Sequence, residues 1–246
     1  MAELDGKVAV ITGAGSGLGK ASAKLFADYG ATVFCADISG AQNATAASIG
    51  DAAIPIRCDV RNEAEVEAMI AAAVERFGRV DAVLNIAGVT LFQELAELDM
   101  AEYERIMDID LRGVVHGTKH AVRAMRGAGG GSILNWASVA AMGAKPGTGI
   151  YSAAKAGIIA VTRAAAAEYG SLGIRANAIL PGLFLTEAAD QAPPGMIDQL
   201  TATIPMRRGG DPRECAELAA FLVSDRAPFI NGAAILIDGG QSAQLA

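Results

Sequence analysis

A short apolar stretch followed by a glycine-rich turn constrains this chain more than any other feature. Residues 8–11 have the composition of a buried strand, and residues 12–19 follow with the sequence TGAGSGLG. Glycines without a Cβ let backbone N–H groups, and the positive end of the next helix, approach phosphate oxygens closely. A dinucleotide pyrophosphate needs this arrangement. The common fingerprint places a glycine where Leu18 stands, so the turn alone leaves a flexible loop as an alternative.

Short β-branched runs alternate with alanine-rich helical stretches along the rest of the chain. The expected strands are residues 8–11, 32–36, 53–57, 82–84, 132–136, 174–179 and 234–237, and the expected helices include residues 64–77, 100–126 and 152–169. This alternation predicts a parallel sheet, and the continuous apolar runs indicate helices on both faces. We therefore predict an α/β fold, a single-domain Rossmann-type doubly wound sheet of about seven strands over residues 1–246.

Composition and charge indicate which classes of partner this chain can bind. The 246 residues carry a formal net charge of −7, which would repel nucleic acid and anionic membranes. We expect a small-molecule substrate and no nucleic-acid or membrane partner. Three cysteines without paired spacing indicate a reducing compartment, and the first residues lack the pattern of a signal peptide, so we predict a cytoplasmic protein. His116 and His120 lack acidic or cysteine partners at suitable spacing, and we predict no metal site.

Tyr151 and Lys155 form the second informative pattern. They are four residues apart on an expected helix, so both side chains project from one face. A phenol is a poor base at neutral pH, but a nearby ammonium favours the phenolate. Ser138 follows an expected strand at the sheet edge where ligands bind, and its hydroxyl could hold a carbonyl or alcohol oxygen. Taken singly, these residues are also typical of an ordinary helix pair and a turn serine.

Together the motifs resemble the short-chain dehydrogenase/reductase family. The resemblance runs from about Lys7 to Gly240. The matched motifs, in chain order, are TGAGSGLG at 12–19, Asp59-Val60, Asn85-Ile86-Ala87-Gly88, Ser138 thirteen residues before Tyr151-Ser152-Ala153-Ala154-Lys155, Arg175-Ala176-Asn177, Pro181-Gly182, Asn231-Gly232 and Asp238-Gly239-Gly240. The glycine spacing that departs from the common fingerprint is this family's own.

The resemblance implies a role for each of these residues. Tyr151 would be the catalytic acid/base, Lys155 would make Tyr151 a stronger acid and hold the nicotinamide ribose, and Ser138 would orient the reacting oxygen. The residues implied to bind the nicotinamide cofactor are Gly13, Gly15, Ser16, Gly17, Leu18, Gly19, Asp37, Ile38, Asp59, Val60, Asn85, Ala87, Gly88, Tyr151, Lys155, Pro181, Gly182, Phe184 and Thr186. The family is commonly tetrameric, which implies a homotetramer paired through helices 100–126 and 152–169.

Asp37 favours NAD over NADP. It stands at the end of the second expected strand, where an acidic side chain can accept hydrogen bonds from ribose hydroxyls. A 2′-phosphate would meet a carboxylate there, and Ser16 and Ile38 supply no compensating cation. The alternative is that Asp37 only caps the segment that follows.

Asp110 departs from the family pattern, which usually has asparagine at this position to help hold a water in the proton relay beyond the lysine. An amide donates and accepts hydrogen bonds, whereas an ionised carboxylate only accepts them. Either the backbone carbonyl of residue 110 holds the water, and aspartate is tolerated in place of asparagine, or the side-chain amide is needed, and turnover falls. We expect activity to survive, and we include Asp110 among the catalytic residues.

These observations predict an oxidoreductase that moves hydride between NAD(H) and a secondary alcohol or its ketone. The long stretch 183–210 is expected to be a substrate loop. An apolar pocket, and hence an apolar or cyclic substrate, is expected from Leu91, Phe92, Met142, Phe184, Met196, Ile197 and Leu200. Two alternatives stay open: a 3-oxoacyl-thioester reductase, and a catalytically idle dinucleotide-binding sensor or scaffold.

Overall fold

A seven-stranded sheet carries the site, and we describe it from a computed structural model whose described residues are 3–187, 189 and 193–244. The strands are β1 (Val8–Thr12), β2 (Thr32–Asp37), β3 (Ala53–Arg57), β4 (Ala82–Asn85), β5 (Gly131–Trp136), β6 (Ile174–Pro181) and β7 (Ala234–Ile237). They lie in the order β3-β2-β1-β4-β5-β6-β7, and every neighbouring pair is parallel. The strand order reverses between β1 and β4, which is where ligands bind in sheets of this type.

Helices cover both faces of the sheet. They are α1 (Gly17–Asp28), α2 (Gln42–Ile49), α3 (Glu63–Phe77), α4 (Met100–Ile106), α5 (Gly113–Met125), α6 (Gly149–Tyr169), α7 (Met196–Ala202) and α8 (Pro212–Val223). Helices α1 and α8 pack together on one face, and α3, α5 and α6 form the other layer. The predicted doubly wound α/β fold is confirmed.

Alternating residues of the strands pack into two separate hydrophobic cores, one on each face of the sheet. In β1, Ala9 and Ile11 belong to the core beneath α1 and α8, whereas Val8 and Val10 belong to the core on the opposite face. All four side chains are buried. A strand covered on both faces needs apolar residues at every position, which is why β1 has no polar alternation.

The segment predicted as a helix, residues 100–126, is helical through residue 125 but is not a uniform α-helix. A π-helical segment, Met107–Arg112, separates α4 from α5. The wider turn changes which residues face inward, so that Asp110 is fully buried while Asp108 and Arg112 pair on the outside at 2.9 Å. Apolar periodicity does not reveal such an insertion, since the residues on either side keep helical spacing.

The substrate loop, residues 183–210, is less irregular than its proline and glycine content indicates. It contains α7, and Phe184 forms a parallel bridge with Gly210, which joins the two ends of the loop. Residues 188 and 190–192 of this loop lie outside the described residues. In the described part of the chain, no helix is both long and apolar enough to cross a membrane.

Gly117 fixes how closely α5 approaches β4. A Cβ at this position would lie 1.9 Å from Asn85 Oδ1, and the Asn85 amide donates a hydrogen bond to Asn135 Oδ1 at 2.8 Å. We predict that Gly117→Ala lowers the free energy of unfolding by about 1–3 kcal/mol because the added methyl group would displace the buried Asn85 side chain from its hydrogen bond with Asn135. Urea unfolding measures this change.

Gly143→Ala is the matched control, since a Cβ there would meet nothing within 4 Å. It should change the free energy of unfolding by less than about 0.5 kcal/mol. Equal urea midpoints for the two variants would contradict the close packing at Gly117.

Candidate active site

The glycine turn, residues 13–19, lies in direct contact with the chain that leaves β4. A Cβ on Gly13, whose φ is +70°, would lie 3.0 Å from Ala87 Cα, and a Cβ on Gly19 would lie 2.1 Å from the Gly13 carbonyl oxygen. Leu18 instead packs its side chain against the core beneath α1 and α8. The turn therefore requires glycine at 13 and 19 but uses an apolar side chain at 18.

Thr12 ties β1 to the segment after β4. Its Oγ1 accepts hydrogen bonds from the N–H groups of Ile86 at 3.0 Å and Ala87 at 3.1 Å, and donates one to the Leu84 carbonyl at 3.3 Å. The sequence interpretation did not assign Thr12 a site role. A signal was available, because a buried hydroxyl at the end of an apolar strand needs partners.

Asp37 ends β2 beside the glycine turn. Its Oδ2 accepts the Gly15 N–H at 3.0 Å, and its Oδ1 accepts hydrogen bonds from the backbone and hydroxyl of Ser39 at 2.9 and 2.7 Å. A Cβ on Gly15 would lie 2.9 Å from the same carboxylate. The acidic group is therefore held in a fixed orientation at the end of the strand.

One cavity of about 680 Å³ joins Asp37 to Tyr151. Sixteen of the residues predicted to bind cofactor lie on its wall: Gly13, Ser16, Gly17, Leu18, Gly19, Asp37, Ile38, Asp59, Val60, Ala87, Gly88, Tyr151, Lys155, Pro181, Gly182 and Thr186. Ser138 lies on the same wall. The volume is within the range of small-molecule sites, which is about 300–1,000 Å³.

Four of the residues predicted to bind cofactor or to take part in catalysis do not line this cavity. Gly15 lies behind the turn against Asp37, and Asn85 is buried between β4 and α5. The Phe184 ring packs on Gly210, so that a Cβ there would lie 2.5 Å from the ring. Asp110 is buried behind Lys155.

Lys155 is held by groups from two other elements. Its Nζ donates a hydrogen bond to the Trp136 carbonyl at 3.2 Å and lies 3.0 Å from Asp110 Oδ2. The Tyr151 ring centroid is 5.5 Å from the same Nζ. The ammonium is almost fully buried, so its position beside Tyr151 is determined by these contacts rather than by solvent.

Asp110 brings a full negative charge to this cluster. Its Oδ1 accepts the Val89 N–H at 2.8 Å, and its Oδ2 makes an ionic contact with Lys155 without hydrogen-bond alignment. The carboxylate is 0% exposed. A buried carboxylate is tolerated only when paired, and Lys155 and the Val89 N–H supply the partners.

Ser138 follows β5 and caps a short 3₁₀ helix. Its Oγ accepts the Ala140 N–H at 3.1 Å, which leaves the hydroxyl hydrogen available for another acceptor. Because β5 and α6 meet at this edge of the sheet, the serine and Tyr151 face one cavity.

The apolar side chains predicted to line a substrate pocket lie elsewhere in the described structure. None of the seven is on the wall of the main cavity. Phe92 is 74% exposed and Met142 is 64% exposed, on two segments joined by a 2.8 Å hydrogen bond from the Gln93 N–H to the Gly147 carbonyl. Together with Leu95, they form an exposed apolar rim next to the start of α6.

The remaining charged groups near the site have specific partners. Arg61 forms paired hydrogen bonds with Asp59 and holds the pKa of that carboxyl below its usual range. His116 Nδ1 contacts the Val60 carbonyl, and His120 Nε2 contacts Glu63. No cluster of three potential metal ligands occurs among residues 3–187, 189 and 193–244.

Comparison with known proteins decides the family. A family model described as enoyl-(acyl carrier protein) reductase matches residues 13–242. The chain is 40% identical over 241 residues to cis-4-hydroxycyclohexanecarboxylate dehydrogenase of Sinomonas cyclohexanicum, covering 96% of this chain and 97% of the relative. The chain belongs to the short-chain dehydrogenase/reductase family.

Two further relatives agree with this assignment. Meso-2,3-butanediol dehydrogenase of Serratia marcescens is 39% identical over 241 residues, covering 97% of this chain and 96% of the relative. A crystal structure assigned as a gluconate dehydrogenase of Agrobacterium tumefaciens has a TM-score of 0.93 and 32% identity, covering 99% and 98% of the two chains. As a member of this family, the protein is an oxidoreductase that uses a nicotinamide cofactor.

The geometry fits a dinucleotide. Side chains at positions 13 and 19 would overlap neighbouring backbone, so the turn presents backbone rather than side chains to the cavity. Gly17, Leu18 and Gly19 begin α1 on the cavity wall, and a helix N-terminus favours phosphate. Asp37 and Lys155 both line this cavity, at opposite ends of it.

Thr12 provides a test of this architecture. We predict that Thr12→Val lowers the free energy of unfolding by about 1–3 kcal/mol, because two buried N–H groups lose their acceptor. The same change should weaken dinucleotide binding, since those N–H groups hold the segment of Ala87 against the turn. Calorimetric titration with the cofactor and urea unfolding measure the two effects.

Thr12→Ser keeps the hydroxyl and is the control. It should retain most of the affinity for cofactor. If Thr12→Val binds as tightly as the parent protein, the hydroxyl does not position the turn.

Proposed function

We propose that this protein transfers hydride between NAD(H) and a secondary alcohol or its ketone. The single cavity that joins Asp37, the glycine turn and the group Ser138, Tyr151 and Lys155 carries this proposal. It has the dimensions and polar ends that a dinucleotide needs, and the candidate acid/base lies at the end opposite Asp37. The cofactor, when bound, supplies the hydride acceptor or donor.

Three side chains perform the proton chemistry in this proposal. Ser138 donates a hydrogen bond to the substrate oxygen and so fixes its position. In oxidation, Tyr151 accepts the hydroxyl proton of the alcohol, and in reduction it returns that proton to the ketone oxygen. Lys155 stabilises the negative charge that develops on the tyrosine oxygen, since its ammonium lies 5.5 Å from the ring centroid.

Asp110 completes this arrangement by positioning Lys155. The carboxylate is fixed by the Val89 N–H and holds Nζ from the side of the π-helical segment. Gly88 leaves the space for both groups, because a Cβ there would lie 3.2 Å from Nζ and 3.3 Å from Asp110 Oδ1. The ion pair supports our expectation that the exchange of asparagine for aspartate preserves activity.

The environment of Asp37 supports NAD rather than NADP. Its carboxylate is directed by the Gly15 N–H and Ser39 towards the cavity, where a 2′-phosphate would be repelled. Three cations line the described cavity wall. Arg61 is paired with Asp59, Arg105 with Glu102, and Lys155 belongs to the other end. None is free to offset the repulsion.

A substrate with an apolar ring suits the mouth of the cavity best. Phe92, Leu95 and Met142 expose apolar surface, and Leu95 lies beside Gly149 at the start of the helix that carries Tyr151. Such surface is typical of ligand-binding regions. Among the relatives, one is named for a hydroxycyclohexane carboxylate and another for butanediol. We propose cyclic secondary alcohols and vicinal diols as the first substrates to test. The homotetramer and the cytoplasmic location stay predictions.

Replacement of Tyr151 tests the reaction. We predict that Tyr151→Phe lowers kcat/KM for alcohol oxidation with NAD by about 10²–10⁴-fold, because the variant lacks the phenolic oxygen that takes the hydroxyl proton in this proposal. Cofactor affinity should change little. A panel of cyclic alcohols and diols, assayed by NADH absorbance, measures the loss.

Tyr169→Phe, at the other end of α6, is the control and should retain full turnover. Binding of cofactor without turnover of any substrate would favour the idle sensor, and NADPH-dependent reduction of 3-oxoacyl thioesters would favour the acyl reductase. A Tyr151→Phe variant as fast as the parent would refute the proposed acid/base.

Replacement of Asp37 tests the cofactor. We predict that Asp37→Ala lowers the ratio of kcat/KM with NAD to kcat/KM with NADP by about tenfold or more, since hydrogen bonds to a charged group are lost and repulsion of a phosphate is removed. Steady-state assays with both cofactors measure it. Asp51→Ala, an exposed change of equal charge, should leave the ratio unchanged. An unchanged ratio in Asp37→Ala would exclude this residue as the determinant.

A further inference from the structure

Glu187 places a carboxylate on the glycine turn from the substrate loop. Its Oε2 accepts the Gly17 N–H at 2.9 Å, and its Oε1 accepts a hydrogen bond from Lys20 Nζ at 2.9 Å. Gly17 is the first residue of α1, so the carboxylate lies at the positive end of the helix dipole. The hydrogen bond from Lys20, followed by those from the N–H groups of Glu187 and Gly17, lowers the pKa of Glu187 to about 2. The side chain is therefore an anion at neutral pH.

The segment that carries Glu187 is fixed at both ends. The Leu185 N–H donates to the Gly210 carbonyl at 2.9 Å, next to the bridge between Phe184 and Gly210. A Cβ on Gly17 would lie 3.4 Å from the Thr186 methyl group. Residues 184–187 thus run from the start of the substrate loop, where Gly210 holds it, onto the glycine turn.

Gly17 contacts the Glu187 carboxylate and also lines the main cavity. Gly17 and Thr186 line the main cavity, whereas Glu187 reaches Gly17 from a second, shallower cavity that Lys20 and Lys24 also line. The N–H groups of the glycine turn are those that a pyrophosphate would use. The Gly17 N–H is therefore already bound to a carboxylate of the protein, as is the Gly15 N–H, whose hydrogen bond Asp37 accepts.

Two anions at the same turn oppose each other. A phosphate at this turn and the Glu187 carboxylate would repel each other, and Lys20 offsets only part of this repulsion because its side chain and that of Glu187 are 37% and 53% exposed. An exposed ion pair is itself weak. The ion pair with Lys20 therefore adds little to hold the carboxylate on the turn against a bound pyrophosphate.

We propose that Glu187 is a positioning residue that competes with the cofactor pyrophosphate for the Gly17 N–H and thereby couples cofactor binding to the substrate loop. The carboxylate holds residues 184–187 on the turn before cofactor binds. Binding of a pyrophosphate displaces the carboxylate from Gly17 and releases the loop at Glu187, while the bridge between Phe184 and Gly210 remains. This inference rests on the proposed dinucleotide site.

Glu187→Gln tests the competition with three probes of the full-length protein. The probes are ADP-ribose, which carries the pyrophosphate, adenosine, which lacks phosphate, and NAD under turnover. We expect the Kd of ADP-ribose to fall about twofold to fivefold, the effect of one anion at a helix N-terminus. The Kd of adenosine should not change. The KM for NAD should fall without a rise in kcat, because the reacting groups are untouched.

Glu75→Gln is the matched control, an exposed residue of α3 with the same change in charge. It should leave all three constants unchanged. Unchanged or weaker binding of ADP-ribose by Glu187→Gln would overturn the inference, as would equal tightening of adenosine or the same tightening in Glu75→Gln. If the parent protein binds no ADP-ribose, the proposed dinucleotide site itself fails, and the inference fails with it.

Discussion

Close backbone contact between the glycine turn and the segment after β4 is the constraint on which the site depends. At Gly13 and Gly19 there is no room for a side chain, and Thr12 Oγ1 fastens the two segments with two accepted hydrogen bonds. Because β1 and β4 are adjacent where the strand order reverses, this contact defines one wall of the cavity. The backbone there is then available to phosphate, since no side chain separates them.

Charge is arranged along the cavity in a way that matches the two ends of a dinucleotide. Asp37 holds a carboxylate at one end, and the buried pair Lys155 and Asp110 lies behind Tyr151 at the other. Burying this ion pair costs desolvation free energy. The Trp136 carbonyl accepts a hydrogen bond from Lys155 and the Val89 N–H donates one to Asp110, so the pair holds the ammonium in a fixed position. In the proposed function, specificity for the cofactor and positioning of the acid/base thus come from separate carboxylates.

Much of the fold followed from local patterns. The seven strands were expected at positions that the structure confirms within a few residues, because buried parallel strands have continuous apolar sequences. The helix over 100–126 was predicted without its π-helical turn, since such a turn leaves the apolar spacing on both sides intact. Asp110 lies in that turn and is fully buried.

The order of elements and the chemical groups of the site could be predicted from sequence, because strand composition, glycine spacing and the Tyr151–Lys155 interval are short-range properties. Which of those groups meet depends on the packing of distant segments. Asn85 and Phe184 pack away from the cavity, and Glu187 contacts Gly17 across 170 residues of chain. Such contacts depend on how helices and loops pack over the sheet. A local sequence pattern cannot reveal a contact between residues so far apart in the chain.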